Sequence, residues 1–154
     1  MTSAIEDRLT FLGVDLPRPA APAANYVPFV ESRGMLYISG QIPVGHEGIE
    51  FVGRLGDGFG IEEGRSAARL CAINILAQAR AALGDLDRIG RIVKLTGFVN
   101  ASPDFNDHPK VINGASDFMV EVFGDKGRHA RSAVGVAGLP FGVAVEVEAI
   151  IEIA

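Results

Sequence analysis

The amino-acid sequence predicts an α+β sandwich of two layers, with two helices on one face of a mostly antiparallel sheet. Three observations support this fold class. The chain has 154 residues, the size of one domain. Two segments space their apolar residues by three and four, whereas five shorter segments are rich in β-branched residues. Their order is β-β-α-β-α-β-β, which places both helices on the same side of the sheet.

The first two strands are predicted over residues 26–30 and 35–39. Both are short runs of aromatic and β-branched residues, and the polar residues between them indicate a hairpin. Residues 45–60 are rich in glycine. We interpret them as a loop, within which residues 49–52 could form a short strand.

The two helices are predicted over Ile61–Leu83 and from residue 107 to residue 124. A glycine follows each periodic segment, at Gly84 and Gly124, and glycine commonly ends a helix. The apolar stripe of the first helix consists of Ala68, Cys71, Ile75, Ala79 and Ala82, and that of the second of Ile112, Ala115, Met119 and Val122. The small side chains of the first stripe predict a close approach to the sheet.

The remaining strands are predicted over residues 92–99, 131–137 and 143–153. The last strand alternates apolar residues with Glu146, Glu148 and Glu152, so its two faces differ in character. The short GLPFG segment before it suggests that the last two strands form a hairpin. Because the second face of the sheet mixes apolar and charged residues, we expect another copy of the subunit to cover it.

Residues 1–25 are predicted to form an N-terminal extended arm laid over the body of the protein. Its second part, residues 13–25, is rich in proline and alanine, which disfavours a regular helix. The single domain then covers residues 26–154.

Composition excludes several classes of function. The formal net charge of −5 argues against general affinity for nucleic acids, because such binding depends on cationic contacts to phosphate. The uncharged residues 132–145 are too few to span a membrane, and the N-terminus does not resemble a signal peptide. We therefore expect a cytoplasmic protein without a membrane partner.

No motif for a metal or a nucleophile is found. His46-Glu47 lacks the second histidine of the zinc-protease helix, and Ser39 lies outside a G-x-S-x-G motif. We interpret His108 and His129 as helix-start or loop residues. No metal site is therefore predicted.

Arg131 and Glu146 are the candidate functional pair. Arg131 begins an otherwise uncharged strand, and Glu146 alternates with valines on the last strand. A guanidinium binds a carboxylate through two parallel hydrogen bonds, and a nearby carboxylate can direct a water or transfer a proton. The pair therefore suits a small carboxylic acid as the ligand. An ordinary ion pair across the predicted hairpin is the alternative that these residues leave open.

The C-terminal segment ARSAVGVAGLPFGVAVEVEAI, residues 130–150, resembles the signature of the Rid/YjgF family of reactive enamine/imine deaminases. The resemblance extends from about residue 26 to residue 153. Further matches are ISGQIPV at 38–44, RIVKLTGFV at 91–99, the Asp104-Phe105 pair and Asn113.

The resemblance implies a chorismate-mutase-like fold assembled as a homotrimer, with a central barrel of three sheets and ligand clefts between subunits. It implies that Arg131 holds the substrate carboxylate and that Glu146 positions or protonates a water. The substrate-binding residues that it implies are Tyr26, Ser39, Gly40, Asn113 and Ala133. The implied reaction is the hydrolysis of a 2-imino acid, or its enamine, to a 2-keto acid and ammonia without a cofactor.

The chain departs from the family pattern at Ala133, where deaminating members usually carry a cysteine. Gly135 replaces a side chain, and the arm and residues 45–60 exceed the usual family outline. These departures leave open a trimer that binds small carboxylates without catalysis. An endoribonuclease is less favoured, because the chain is acidic and no pair of histidines is evident. The sequence does not identify the physiological substrate.

Overall fold

The computed structural model describes residues 3–22 and 24–154, and these form three α-helices and one five-stranded sheet with four short strands beside it. The helices are α1 (Ala4–Phe11), α2 (Ile61–Leu83) and α3 (His108–Phe123). The strands are β1 (Phe29–Ser32), β2 (Met35–Gln41), β3 (Val44–Gly45), β4 (Gly48–Ile49), β5 (Arg54–Leu55), β6 (Gly58–Phe59), β7 (Ile89–Asn100), β8 (Ala130–Val136) and β9 (Val145–Ile153). The predicted α+β class with a mostly antiparallel sheet is confirmed.

The strand order in the main sheet is β1-β2-β9-β7-β8. All neighbouring pairs are antiparallel except β7 and β8, which are parallel. The predicted hairpin of the last two strands is therefore wrong. The twelve-residue strand β7 pairs with β9 along one edge and with β8 along the other, so residues 137–144 must cross its end.

The helical layer covers one face of the sheet. On β9 the side chains of Val145, Val147 and Ile151 are fully buried beneath it, whereas Glu146 and Glu148 belong to the opposite face. In the predicted apolar stripe of α2, four residues are fully buried and the last, Ala82, is partly exposed; the buried ones are Ala68, Cys71, Ile75 and Ala79. No helix in the described ranges is long and apolar enough to cross a membrane.

Close packing extends to α3. A Cβ atom at Gly97 of β7 would overlap the side chain of Ile112, so only glycine lets α3 lie this near the sheet. The register of β7 also shifts at Arg91 and again between Ile92 and Lys94. These irregularities turn Ile92 into the core, whereas strict alternation along β7 would place it on the same face as Lys94.

The predicted extended arm over residues 1–25 is not extended throughout, because it contains α1. Ser3 caps this helix, and the Asp87 carboxylate accepts hydrogen bonds from the backbone N–H groups of Ala4 and Ile5 at 2.9 Å each. The same bonds lower the pKa of Asp87. Residues 13–22 have no regular secondary structure, as expected, and Leu16 is buried against the core.

Candidate functional site

The register of β7 determines where the two candidate residues lie. Arg131 is paired with Leu95, whose side chain is buried beneath the helices, and Glu146 is paired with Phe98 on the opposite face. The two residues therefore lie on opposite faces of the sheet, with β7 between their strands. This arrangement excludes the ion pair across a hairpin and divides the predicted site into two halves.

The Glu146 half is a cavity of about 370 Å³ that residues 20–22 of the arm help to line. Tyr26, Gly40 and Glu146, three of the predicted site residues, all line it. The other lining residues are mostly apolar and come from the arm, from β2 to β4 and from the segment before β9: Ala20, Ala21, Pro22, Pro28, Gln41, Ile42, Val44, Ile49, Pro140 and Phe141. Glu146 is the one ionisable carboxyl group among these lining residues.

Glu146 is half-buried, and no residue of the described ranges donates a hydrogen bond to its carboxylate. Burial raises the pKa of this carboxyl group, and the charge of Glu148 raises it further. A Cβ atom at Gly40 would lie 2.9 Å from the carboxyl carbon of Glu146. Glycine at this position therefore leaves the space that the carboxylate occupies.

Ser39 does not line the cavity. Its hydroxyl group donates a hydrogen bond to the carbonyl oxygen of Val27 at 2.8 Å, which ties β2 to the residues before β1. The structure thus gives Ser39 a supporting contact beside the cavity.

Gln78 does not line the cavity, but it supports one of its walls through contacts that the sequence did not reveal. It is 1% exposed, and its side-chain amide donates to the carbonyl oxygen of Ala20 at 2.8 Å and to Oε1 of Gln41 at 3.4 Å. These bonds attach the arm to α2 where the arm forms a wall of the cavity. A glutamine within the apolar pattern of a buried helix was the available signal.

The Arg131 half lies between β8 and α3. Nη1 of Arg131 donates to Oδ1 of Asn113 at 2.8 Å and to Oγ of Ser116 at 3.2 Å. No carboxylate in the described ranges forms an ion pair with Arg131. The guanidinium is therefore oriented by neutral groups and keeps donors available for an anion.

His129 lies in the loop before β8, as the sequence predicted, and from there it supports this orientation. Burial lowers its pKa, and the charge of Arg131 lowers it further. In the neutral tautomer with a proton on Nδ1, the ring donates to the carbonyl oxygen of Gly127 at 2.6 Å and accepts the Ser116 hydroxyl on Nε2 at 2.8 Å. Ser116 then presents its oxygen to Arg131.

Ala133 lies two residues beyond Arg131 on the same face of β8 and is paired with Gly97. Its methyl group packs against the core and brings no polar atom to this half. The structure therefore joins Arg131 with Asn113 and places Ala133 next to them, and it joins Glu146 with Tyr26 and Gly40. Within the described part of the chain, no group of three His, Cys, Asp or Glu residues could hold a metal ion.

Comparisons with known proteins agree with this architecture. The family model described as "YjgF/chorismate_mutase-like, putative endoribonuclease" matches residues 6–152. Protein TCP17 of Trypanosoma cruzi is 54% identical over 143 residues, which cover 92% of this chain and 89% of TCP17. The crystal structure of Atu1372 from Agrobacterium tumefaciens is 50% identical with a TM-score of 0.88, covering 97% of this chain and 93% of Atu1372.

The crystal structure of E. coli TdcF with bound serine is also similar, at 30% identity and a TM-score of 0.64, covering 88% of this chain and 93% of TdcF. The family model spans nearly the whole chain, including the arm beyond residue 6 and the C-terminal segment with Arg131 and Glu146. The chain therefore belongs to the YjgF/chorismate mutase-like family, as its C-terminal signature indicated.

Proposed function

We propose that the protein hydrolyses small 2-imino acids, or their enamine tautomers, to 2-keto acids and ammonia. The observation that carries this proposal is the Glu146 carboxylate, which is half-buried at an apolar cavity without a hydrogen-bond donor among the described residues. Its raised pKa brings it nearer to neutrality, where a carboxyl group can both accept and return a proton.

Arg131 is proposed to bind the substrate carboxylate. Its guanidinium is held by Asn113 and Ser116 and has no acidic partner in the described ranges. The related protein TdcF has been crystallised with serine, a small amino acid that carries a carboxylate. A small carboxylate ligand in this chain is consistent with that relative.

The two halves of the site are proposed to meet between subunits of a homotrimer. Arg131 and Glu146 lie on opposite faces of one sheet, so one chain cannot bring both to the same small substrate. In the proposed trimer, Arg131 of one subunit faces Glu146 of its neighbour across a cleft. The open face of the sheet would then line the central barrel.

In the proposed reaction, the oxygen of a water adds to the imine carbon while the C=N π electrons move to nitrogen. Glu146 takes a proton from the water and delivers it to nitrogen. The carbinolamine then loses ammonia as its C–N bond breaks, and the hydroxyl proton passes through Glu146 to the departing nitrogen as the C=O bond forms. No cofactor takes part in this scheme, and we place the reaction in the cytoplasm.

The apolar lining favours substrates with apolar side chains. A cavity of about 370 Å³ is larger than a methyl or ethyl group requires. We therefore expect imino acids with branched aliphatic side chains to react faster than the imine of pyruvate.

A semicarbazide competition assay tests the proposal, with imino acids generated in situ by an amino-acid oxidase. Wild-type protein should divert the imine from semicarbazide to the keto acid, and Glu146→Gln should slow this diversion while keeping affinity for 2-ketobutyrate. Glu121→Gln, an exposed position on α3, is the matched control and should leave the rate unchanged. Equal rates for wild type and Glu146→Gln would remove Glu146 from the mechanism.

Ala133 favours a second candidate function, a trimer that binds small carboxylates without catalysis. Its methyl group packs against the core where a polar, polarisable side chain is usual in deaminating relatives. Undiminished affinity for keto acids, without any acceleration of imine hydrolysis, would select this function over the first.

A further inference from the structure

A second cavity of about 370 Å³ lies where β7 and β8 end and α3 begins. Its polar lining consists of Arg54, Ser102, Asn106 and His108, and no aspartate or glutamate belongs to the lining. These four side chains come from two separate parts of the chain. The cavity therefore combines donors and positive charge without an internal counter-charge.

Arg54 is the fixed charge of this cavity and is partly buried. Its Nη2 donates to the carbonyl oxygen of Ala101 at 2.8 Å, whereas its Nε is buried without an acceptor. No carboxylate in the described ranges forms an ion pair with Arg54. A partly buried cation without a partner is unfavourable, so an anion that enters the cavity regains that free energy.

His108, the first residue of α3, also lines the cavity. Its ring meets that of Phe105 edge to face, at 5.5 Å between centroids and an angle of 83°. Nε2 occupies the space above Gly135, where a Cβ atom would overlap it. Within the described residues, the two ring nitrogens of His108 and the hydroxyl group of Ser102 form no hydrogen bonds. These groups are therefore available to a ligand.

Two acidic residues are close in sequence to the residues that line the cavity. Asp104 and Asp107 belong to the same loop but not to the lining. Asp107 is paired with Lys110, its Oδ1 3.4 Å from Nζ. Within the lining, Arg54 is therefore the charged group without a carboxylate partner.

We propose that this cavity binds a phosphoryl group, either as free phosphate or on a small phosphate ester. The lining combines a guanidinium, a hydroxyl and an imidazole, and a phosphoryl group has more oxygens to accept from such a set of donors than a carboxylate has. The site is separate from Arg131, which lies four residues before Gly135 on β8 and is held by Asn113. It does not depend on the proposed deaminase activity.

Calorimetric titration of inorganic phosphate into the full chain tests this site. Arg54→Gln and His108→Phe should each weaken phosphate binding by about ten- to a hundredfold. His108→Phe keeps a ring against Phe105 and removes both nitrogens, so it tests the site even if Arg54→Gln lowers stability through its lost bond to Ala101. Arg18→Gln, an exposed position of the arm, removes the same charge and should bind phosphate as wild type does.

Further ligands and one further variant separate the alternatives. Tighter binding of glycerol 3-phosphate than of phosphate assigns an ester, and the reverse order assigns free phosphate. Arg131→Ala should keep phosphate affinity while it loses affinity for 2-ketobutyrate. The proposal is overturned if acetate binds as tightly as phosphate, if Arg131→Ala abolishes phosphate binding, or if both cavity variants bind phosphate as wild type does.

Discussion

Glu146 holds a carboxyl group half-buried beside an apolar cavity, and this predicts how stability depends on pH. Burial, and then the charge of Glu148, raise its pKa above the ordinary value of 4.5, so the folded state binds the proton more tightly than the unfolded state does. The group therefore destabilises the fold increasingly as pH rises from that value through its folded pKa. Glu146→Gln removes this effect.

We expect Glu146→Gln to melt at a higher temperature than wild type near pH 8 and at the same temperature near pH 4. Thermal unfolding followed by circular dichroism across this range measures the difference. Glu121→Gln, at an exposed position of α3, should show no such trend. A Glu146→Gln variant that is less stable than wild type near pH 8 would contradict the assigned pKa shift.

Gly40 sets the position of the Glu146 carboxylate, which predicts the effect of one methyl group. A Cβ atom there would lie 2.9 Å from the carboxyl carbon, so Gly40→Ala must displace the carboxylate. We expect imine hydrolysis to slow by about ten- to a hundredfold, the usual penalty for a displaced catalytic group. Gly138→Ala, which has nothing within 4 Å of its new Cβ, should leave the rate unchanged. Equal rates in the two variants would show that this contact is unimportant.

At the scale of elements, β8 and α3 together orient Arg131. Lysine keeps the positive charge but replaces the planar guanidinium with a compact, strongly hydrated ammonium group. Arg131→Lys should therefore lose nearly as much affinity for the substrate carboxylate as Arg131→Ala does. We expect both to bind 2-ketobutyrate about ten- to a hundredfold more weakly in calorimetric titration. Unchanged affinity in Arg131→Ala, accompanied by a lower melting temperature, would assign Arg131 a structural role instead.

The arm depends on α2 through Gln78. Gln78→Leu leaves the carbonyl oxygen of Ala20 without this donor, and a lost buried hydrogen bond costs about 1–3 kcal/mol. We expect faster amide hydrogen exchange over residues 13–22 and weaker binding of imino acids with branched side chains. Arg80→Gln removes the contact of Arg80 with Glu6 at 3.3 Å, and it should loosen α1 rather than residues 13–22. Identical exchange patterns in the two variants would refute a separate role for Gln78.

The elements themselves could be predicted because their signals are local. The periodicity of Ile61–Leu83 and the glycines that follow α2 and α3 are contained in short windows of sequence. The pairing of segments that are distant in sequence could not be predicted in this way. The parallel pairing of β8 with β7 decides which face Arg131 occupies, and no local pattern encodes it. Likewise, Asp87 accepts hydrogen bonds from Ser3 and from the first turn of α1, although it is 82 to 84 residues away from them in sequence.

The same limit applies to the candidate site. The position of Arg131 and Glu146 in their strands, and then the family resemblance, pointed to these two residues, but their separation by the sheet follows from register alone. Gln78, Ser116 and His129 act through hydrogen bonds between distant segments, so their roles could not be seen before the fold was known.

At the scale of the whole molecule, the helices of the described residues cover one face of the sheet and leave the other face open. Large apolar side chains there are substantially exposed, among them Val134 at 44% and Tyr37 at 45%. They lie among the charged residues Lys94 and Glu148, a mixture typical of the surface between subunits. A neighbouring subunit would also bring together the two halves of the proposed site.

We therefore expect light scattering coupled to size exclusion to report about three times 16.2 kDa for the wild-type protein. Val134→Glu places a charge on the open face opposite Phe98 and should dissociate the assembly and abolish imine hydrolysis together, because each cleft needs two subunits. Phe11→Glu, at a position of α1 that is 78% exposed, adds the same charge in the helical layer and should remain an active trimer. A monomeric wild type at micromolar concentration, or full activity in a dissociated Val134→Glu variant, would rule out the cleft between subunits.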